Sequence, residues 1–110
     1  MVKNIKLLVY PVNDLEQAKA FYGEFLGVEP YVDSPYYVGY RVGDLEVGLD
    51  PNASGGPIAY VDVEDIRASL AGLTSTGAEV VQDVRDVGNG LLIAQVKDAG
   101  GNVVGLRQQS

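Results

Sequence analysis

The sequence predicts an α+β fold made of two similar halves, each running strand, helix, then further strands. Three observations predict it. Apolar strings and amphipathic stretches follow one another in the same order twice. Short strings recur: Val12-Asn13-Asp14-Leu15 is echoed by Val63-Glu64-Asp65-Ile66, and Val47-Gly48-Leu49 by Val104-Gly105-Leu106. The chain has 110 residues, the length of one domain, whereas a unit of about fifty residues is too small to bury its own sheet face. The halves are therefore expected to pack together as one domain. Its first module covers about 4–51, a hinge about 51–57, and a second module about 58–108.

Each element has its own signal. Ile5 to Val12 is rich in Val, Leu and Ile and reads as a strand closed by Pro11. An amphipathic helix follows over about Asp14 to Leu26. Leu15, Ala18, Phe21, Tyr22, Phe25 and Leu26 fall at helical spacing on one face. Asn13 or Asp14 caps it, with Glu16 or Gln17 as a capping-box partner, and Gly27 ends it. Glu16, Lys19 and Glu24 are its surface charges. Pro30 and Pro35 bracket a link. Tyr36–Val42 and Leu45–Leu49 form two strands around Gly43-Asp44, a hairpin signal. The stretch 51–57, with Asn, Ser and two Gly, is a loop. Ile58–Val63 is a strand again. A helix starts near Asp65 with Ile66, Leu70 and Leu73 inward and Gly77 as its stop. Ala78–Val84 is extended. Leu91–Val96 and Asn102–Leu106 are strands around the turn Asp98-Ala99-Gly100-Gly101. Gly88-Asn89-Gly90 is a turn before a strand; no helix and no lysine follow it as a phosphate loop requires.

Composition excludes several chemistries. Apolar residues make up 46% and charged residues 21%, as in a folded globular chain. There is no cysteine, which removes disulfides, thiolate metal sites and cysteine nucleophiles. There is no histidine, which removes the commonest general base and the commonest ligand of zinc, iron, nickel and copper. Fifteen acids against eight bases give a net charge of −7. That field repels phosphate backbones and anionic membrane surfaces, so neither nucleic acid nor membrane is an expected partner. The first ten residues lack the apolar stretch and cleavage site of a secretory signal, so a cytoplasmic location is expected. Asn52-Ala53-Ser54 fits a glycosylation triplet that carries no meaning without such a signal.

The ordered set Val12-Asn13-Asp14-Leu15, Phe21-Tyr22, Leu26-Gly27, Val63-Glu64-Asp65-Ile66, Gly77-Ala78-Glu79-Val80 and Asp98-Ala99-Gly100-Gly101-Asn102 resembles the vicinal oxygen chelate superfamily of glyoxalases, bleomycin-resistance proteins and extradiol dioxygenases. The last string looks like the superfamily's Asp-Pro-x-Gly-Asn turn with Ala99 in place of proline. The resemblance implies two βαβββ modules that pair into a curled mixed sheet, forming a cup with the helices outside. It also implies a homodimer and a small molecule held in the cup. Enzymes of this kind hold a divalent metal with a His on the first strand of a module and a Glu on the last. Counting back seven residues from Asp14 and Asp65 gives Leu7 and Ile58; the closing-strand positions are Gly48 and Gly105. None of these side chains donates an electron pair. An ion there would lose hydration without replacement, at a cost of many kcal/mol. The expectation is therefore no metal and no cofactor. The two glycines either widen the cup for a ligand or ease sheet curvature.

Strand alternation assigns the rest of the cup. Ile5, Leu7 and Val9 face it, with Leu8, Tyr10 and Val12 under the helix. Tyr37, Gly39 and Arg41 face it from the middle strand, and Glu46, Gly48 and Asp50 from the closing strand. In the second half the set is Ile58, Tyr60, Asp62, Ile93, Gln95, Val103, Gly105 and Arg107. The ligand-binding candidates are Leu7, Val9, Tyr37, Arg41, Glu46, Gly48, Asp50, Ile58, Tyr60, Asp62, Ile93, Gln95, Gly105 and Arg107. An apolar wall with a few orienting polar groups is the make-up of a small-molecule site. The bland alternatives are tyrosines with hydroxyls in water and arginines bridged to Glu46, Asp50 or Asp62. The expected function is metal-free binding, sequestering or sensing a small, partly aromatic compound. The alternatives are a related enzyme with a relocated metal site or a metal-free mechanism on Glu46, Asp50, Asp62 and Tyr60, and a dimer module with no ligand.

Overall fold

A computed structural model describes residues 4–53 and 55–109. The element order is β1 (Ile5–Pro11), α1 (Leu15–Leu26), β2 (Val32–Ser34), β3 (Tyr37–Val42), β4 (Leu45–Asp50), β5 (Ile58–Asp62), α2 (Ile66–Thr74), β6 (Glu79–Asp86), β7 (Leu91–Lys97) and β8 (Val103–Gln109). The fold is α+β, a βαβββ module given twice. The chain divides into two compact units, one Lys6–Ile58 and the other built mainly from residues 59–109.

In the first unit the strand order is β2-β3-β4-β1, with β1 parallel to β4 and the other pairs antiparallel. In the second it is β5-β8-β7-β6, with β5 parallel to β8 and the others antiparallel. The repeat extends to single hydrogen bonds. Asp14 and Asp65 each cap their helix by accepting from the backbone N–H three residues on, both at 3.1 Å. The N–H of Val12 donates to the carbonyl of Asp50 and that of Val63 to the carbonyl of Arg107. Val12-Asn13-Asp14-Leu15 and Val63-Glu64-Asp65-Ile66 thus recur because each performs the same join from first strand to helix.

One face of each sheet is covered by its helix. Val38, Tyr40, Val47 and Leu49 are buried against Leu15, Ala18, Tyr22 and Leu26 of α1. The Tyr40 hydroxyl donates to the carbonyl of Lys19 at 3.1 Å, so its burial leaves no polar group stranded. In the second unit Val63, Ile66, Leu70, Ala94, Val96 and Leu106 form the core. Alternation therefore sends Leu7, Val9, Tyr37, Arg41, Glu46, Gly48 and Asp50 to the opposite face, as the sequence predicts.

Four expectations are corrected. Phe21 and Phe25 do not lie inward: they are 62% and 70% exposed. The half-buried stripe runs through Leu15, Ala18, Tyr22 and Leu26, and the two phenylalanines sit one position off it, stacked on each other at 6.1 Å. The link between Pro30 and Pro35 contains β2, which pairs with β3 through Val32↔Gly39 and Ser34↔Tyr37. Helix α2 is capped by Ser75 in right-handed geometry; Gly77, at φ 101°, closes the turn after it. The last strand runs on to Gln109. The Gly43-Asp44 hairpin has its left-handed residue at Gly43, as expected. The triplet at Asn52 ends on Ser54, outside the described residues. Among the described residues no helix is long and apolar enough to cross a membrane.

Candidate functional site

Register sets the geometry of the two helix-free faces. In the first unit Leu7, Glu46 and Arg41 form one row across β1, β4 and β3, and Val9, Gly48 and Gly39 form the next. In the second unit Tyr60, Gly105 and Gln95 form a row across β5, β8 and β7, followed by Asp62, Arg107 and Ile93. Ile58 shares the Tyr60 face by alternation and is buried.

Both closing-strand glycines are covered by tyrosines. Tyr60 lies across Gly105: a methyl group at residue 105 would meet the ring from Cγ, at 2.8 Å, out to Cε2. The ring spans the glycine to reach the far end of its row, where Gln95 Nε2 donates to the Tyr60 hydroxyl at 2.7 Å. At Gly48 the corresponding space is taken by the outer end of Tyr37, whose Cε1 would lie 2.7 Å from a methyl group. Tyr37 arrives diagonally, from two residues beyond Gly39, which is itself the register partner of Gly48. Gly39 in turn separates the rings of Tyr31 and Tyr37. The sequence offered two roles for these glycines, widening and curvature. The structure gives them a third: each clears the ground for an aromatic ring, the close approach that a glycine inside a strand permits.

The polar groups are engaged with one another. Arg107 grips Asp62 through two hydrogen bonds, Nε–Oδ1 at 2.7 Å and Nη2–Oδ2 at 3.3 Å. Asp62 is among the carboxylates open to Arg107 in the sequence. Arg41 lies over the ring of Tyr31, its Cζ 4.4 Å from the centroid. Asp50 accepts from the backbone N–H of Asn52 at 2.8 Å. The Tyr37 hydroxyl is hydrogen-bonded to Glu46. Tyr31 belongs to this surface and was absent from the sequence-based reading; Gly39, which alternation placed on this face, was left out of the ligand-binding candidates. The signal for them was the Tyr31-to-Tyr40 cluster, whose partners only the β2–β3 pairing reveals.

Burial pushes the Tyr37 hydroxyl well above its ordinary titration range, and the negative charges of Glu46 and Asp50 add to the shift. Burial raises Tyr22 and Tyr40 in the same direction. The folded-state value lies above the unfolded value of about 10, so the folded chain holds its proton longer. The stability this adds is fully present below about pH 10 and is lost as pH rises further. In an alkaline titration followed by phenolate absorbance, Tyr37→Phe should remove one late-titrating group. Gly48→Ala should move Tyr37 toward ordinary behaviour by pushing its hydroxyl out of its buried seat and away from Glu46. Because only the flexible outer end of the ring must move, Gly48→Ala should change stability by no more than about 1 kcal/mol.

The positions at which the superfamily resemblance places metal ligands do not fit a metal. Leu7 and Ile58 are hydrocarbon, and Gly48 and Gly105 are covered by rings. Among the described residues no group of three or more His, Cys, Asp or Glu side chains is placed to hold an ion.

The profile of the Glyoxalase/Bleomycin resistance protein/Dioxygenase superfamily matches residues 4–106. No curated protein matches. Among solved structures, a hypothetical protein from Bacillus halodurans is similar with a TM-score of 0.79 at 13% identity, covering 100% of this chain and 96% of that one. A glyoxalase/bleomycin resistance protein/dioxygenase superfamily member from Vibrio splendidus gives 0.76 at 14% identity, covering 99% and 100%. A methylmalonyl-CoA epimerase from Streptomyces coelicolor gives 0.75 at 16% identity, covering 100% and 99%. At these identities the likeness is one of fold.

Proposed function

Since the chain belongs to the Glyoxalase/Bleomycin resistance protein/Dioxygenase superfamily, we propose that it is a small-molecule-binding protein that works without a metal ion, sequestering or sensing a small, partly aromatic compound. One observation carries this reading: the four positions that would hold a metal are Leu7, Gly48, Ile58 and Gly105, and tyrosine rings cover both glycines. Lewis-acid chemistry needs protein ligands to hold the ion against water, and these positions offer none. What they offer is apolar and aromatic surface with a few fixed polar groups, which suits recognition of a flat organic body.

A thermal-shift screen of antibiotics and aromatic metabolites, run with and without a chelator, tests the reading. A true ligand at 100 times its Kd adds about 2.7 kcal/mol of stability. The expected result is at least one compound that raises the unfolding midpoint equally in both conditions. Stabilisation abolished by the chelator, or none across the screen, contradicts it.

The contact between Tyr37 and Glu46 favours a second reading, metal-free proton transfer by a phenol–carboxylate pair. It ranks below the first because burial holds the Tyr37 hydroxyl neutral, making it a weak acid at ordinary pH.

A further inference from the structure

We infer that Tyr60 is the group that orients the ligand, and that it does so by donating its phenolic proton to an uncharged acceptor oxygen such as that of a ketone, amide or ester. The inference rests on the binding reading above and names the ligand chemistry that this face selects. Tyr60 is 6% exposed, its ring held on Gly105. A phenol has one proton to give and an oxygen that accepts. Gln95 already donates to that oxygen at 2.7 Å, which turns the proton away from Gln95. Among the described residues no acceptor takes it. The proton is therefore left for an oxygen from outside, and a ligand oxygen that takes it displaces water from a part-buried position.

The surrounding charges decide what kind of oxygen. Of the cations that alternation places on this face, Arg107 is tied to Asp62 by two hydrogen bonds and Lys97 to Glu79 by an ion pair at 3.1 Å, so each pair presents little net charge. A carboxylate seated against Tyr60 would be desolvated without a counter-charge, in a chain whose net charge is −7. An ammonium group has no lone pair to receive the proton. A neutral carbonyl meets neither obstacle, and Ile93 on the same face supplies apolar wall for its hydrocarbon part.

Four probes that share a phenyl ring isolate this hydrogen bond: acetophenone, benzoate, benzylamine and ethylbenzene. Their dissociation constants are measured by NMR titration of the full chain and of Tyr60→Phe, which keeps the ring on Gly105 and removes only the hydroxyl. Acetophenone should bind the unaltered protein about tenfold more tightly than ethylbenzene, the yield of one good hydrogen bond, and more tightly than either charged probe. Tyr60→Phe should bring acetophenone and ethylbenzene to equal affinity. Independently of any variant, the carbonyl carbon of labelled acetophenone should shift downfield on binding. Equal affinity for acetophenone and ethylbenzene in the unaltered protein, a preference that survives in Tyr60→Phe, or tighter binding of benzoate or benzylamine overturns the inference and leaves the binding reading standing. Failure of all four probes to bind overturns the inference, while the binding reading stands or falls on the thermal-shift screen.

Discussion

Gly105→Ala is expected to destabilise the protein by about 2 kcal/mol and to abolish ligand preference on the second unit's helix-free face. Adding a methyl group to a strand glycine ordinarily stabilises by about 0.4–1 kcal/mol, because the unfolded chain loses freedom. Here the methyl would press on the Tyr60 ring along its length, including Cγ at 2.8 Å. Rotation about the ring's own axis does not relieve contact at its root. The side chain must leave its rotamer or β5 must move away from β8, and either outweighs the entropic gain. The hydrogen bond from Gln95 would go with it. The midpoint of thermal unfolding should fall by about 8 °C. The contrast with Gly48→Ala is informative: there the crowded atoms are the distal end of Tyr37, and a swing of the ring relieves them. Equal stability losses at the two glycines would mean that the rings are not seated as described.

Leu49→Ala is expected to cost about 3 kcal/mol while leaving ligand affinity in the folded protein unchanged. Leu49 is 0% exposed and packs with Val38, Tyr40 and Val47 beneath α1. Removing most of its side chain deletes buried surface and leaves a cavity that this small core only partly closes. Its neighbour Gly48 faces the other way on the same strand, so the core and the proposed binding surface lie on opposite faces of β4. Urea denaturation should show a lower midpoint with an unchanged slope. Titration with a ligand from the screen, well below that midpoint, should give an unaltered dissociation constant. A changed dissociation constant would show that the two faces are coupled.

Most of the fold was legible because its signals are local. Asp14 and Asp65 announce helix starts, Gly27 a helix end and Gly43 a hairpin, each through chemistry confined to a few adjacent residues. Alternation then placed the candidate residues on the correct faces, since strand period converts sequence parity into direction. What escaped is non-local or marginal. Strand β2 is three residues between prolines and exists through its pairing with β3. Phe21 and Phe25 fit the helical period nearly as well as the half-buried stripe does, and only the seat of α1 on its sheet separates them. The role of Gly48 and Gly105 depends on which side chain leans over them from another strand. In the second unit that side chain is the register partner, Tyr60; in the first it is the diagonal neighbour, Tyr37. A tyrosine and a mid-strand glycine on the same predicted face is the combination that signals such a seat in a sequence.

The proposed absence of a metal rests on tyrosine rings covering Gly48 and Gly105, two positions at which the superfamily resemblance places metal ligands. Its most direct test is elemental analysis of protein purified without chelators, followed by calorimetric titration with zinc, nickel and manganese. Less than a tenth of an ion per chain, and no saturable heat, is the predicted outcome. One equivalent of any of these ions, released when Glu46, Asp50 or Asp62 is replaced by alanine, would contradict it.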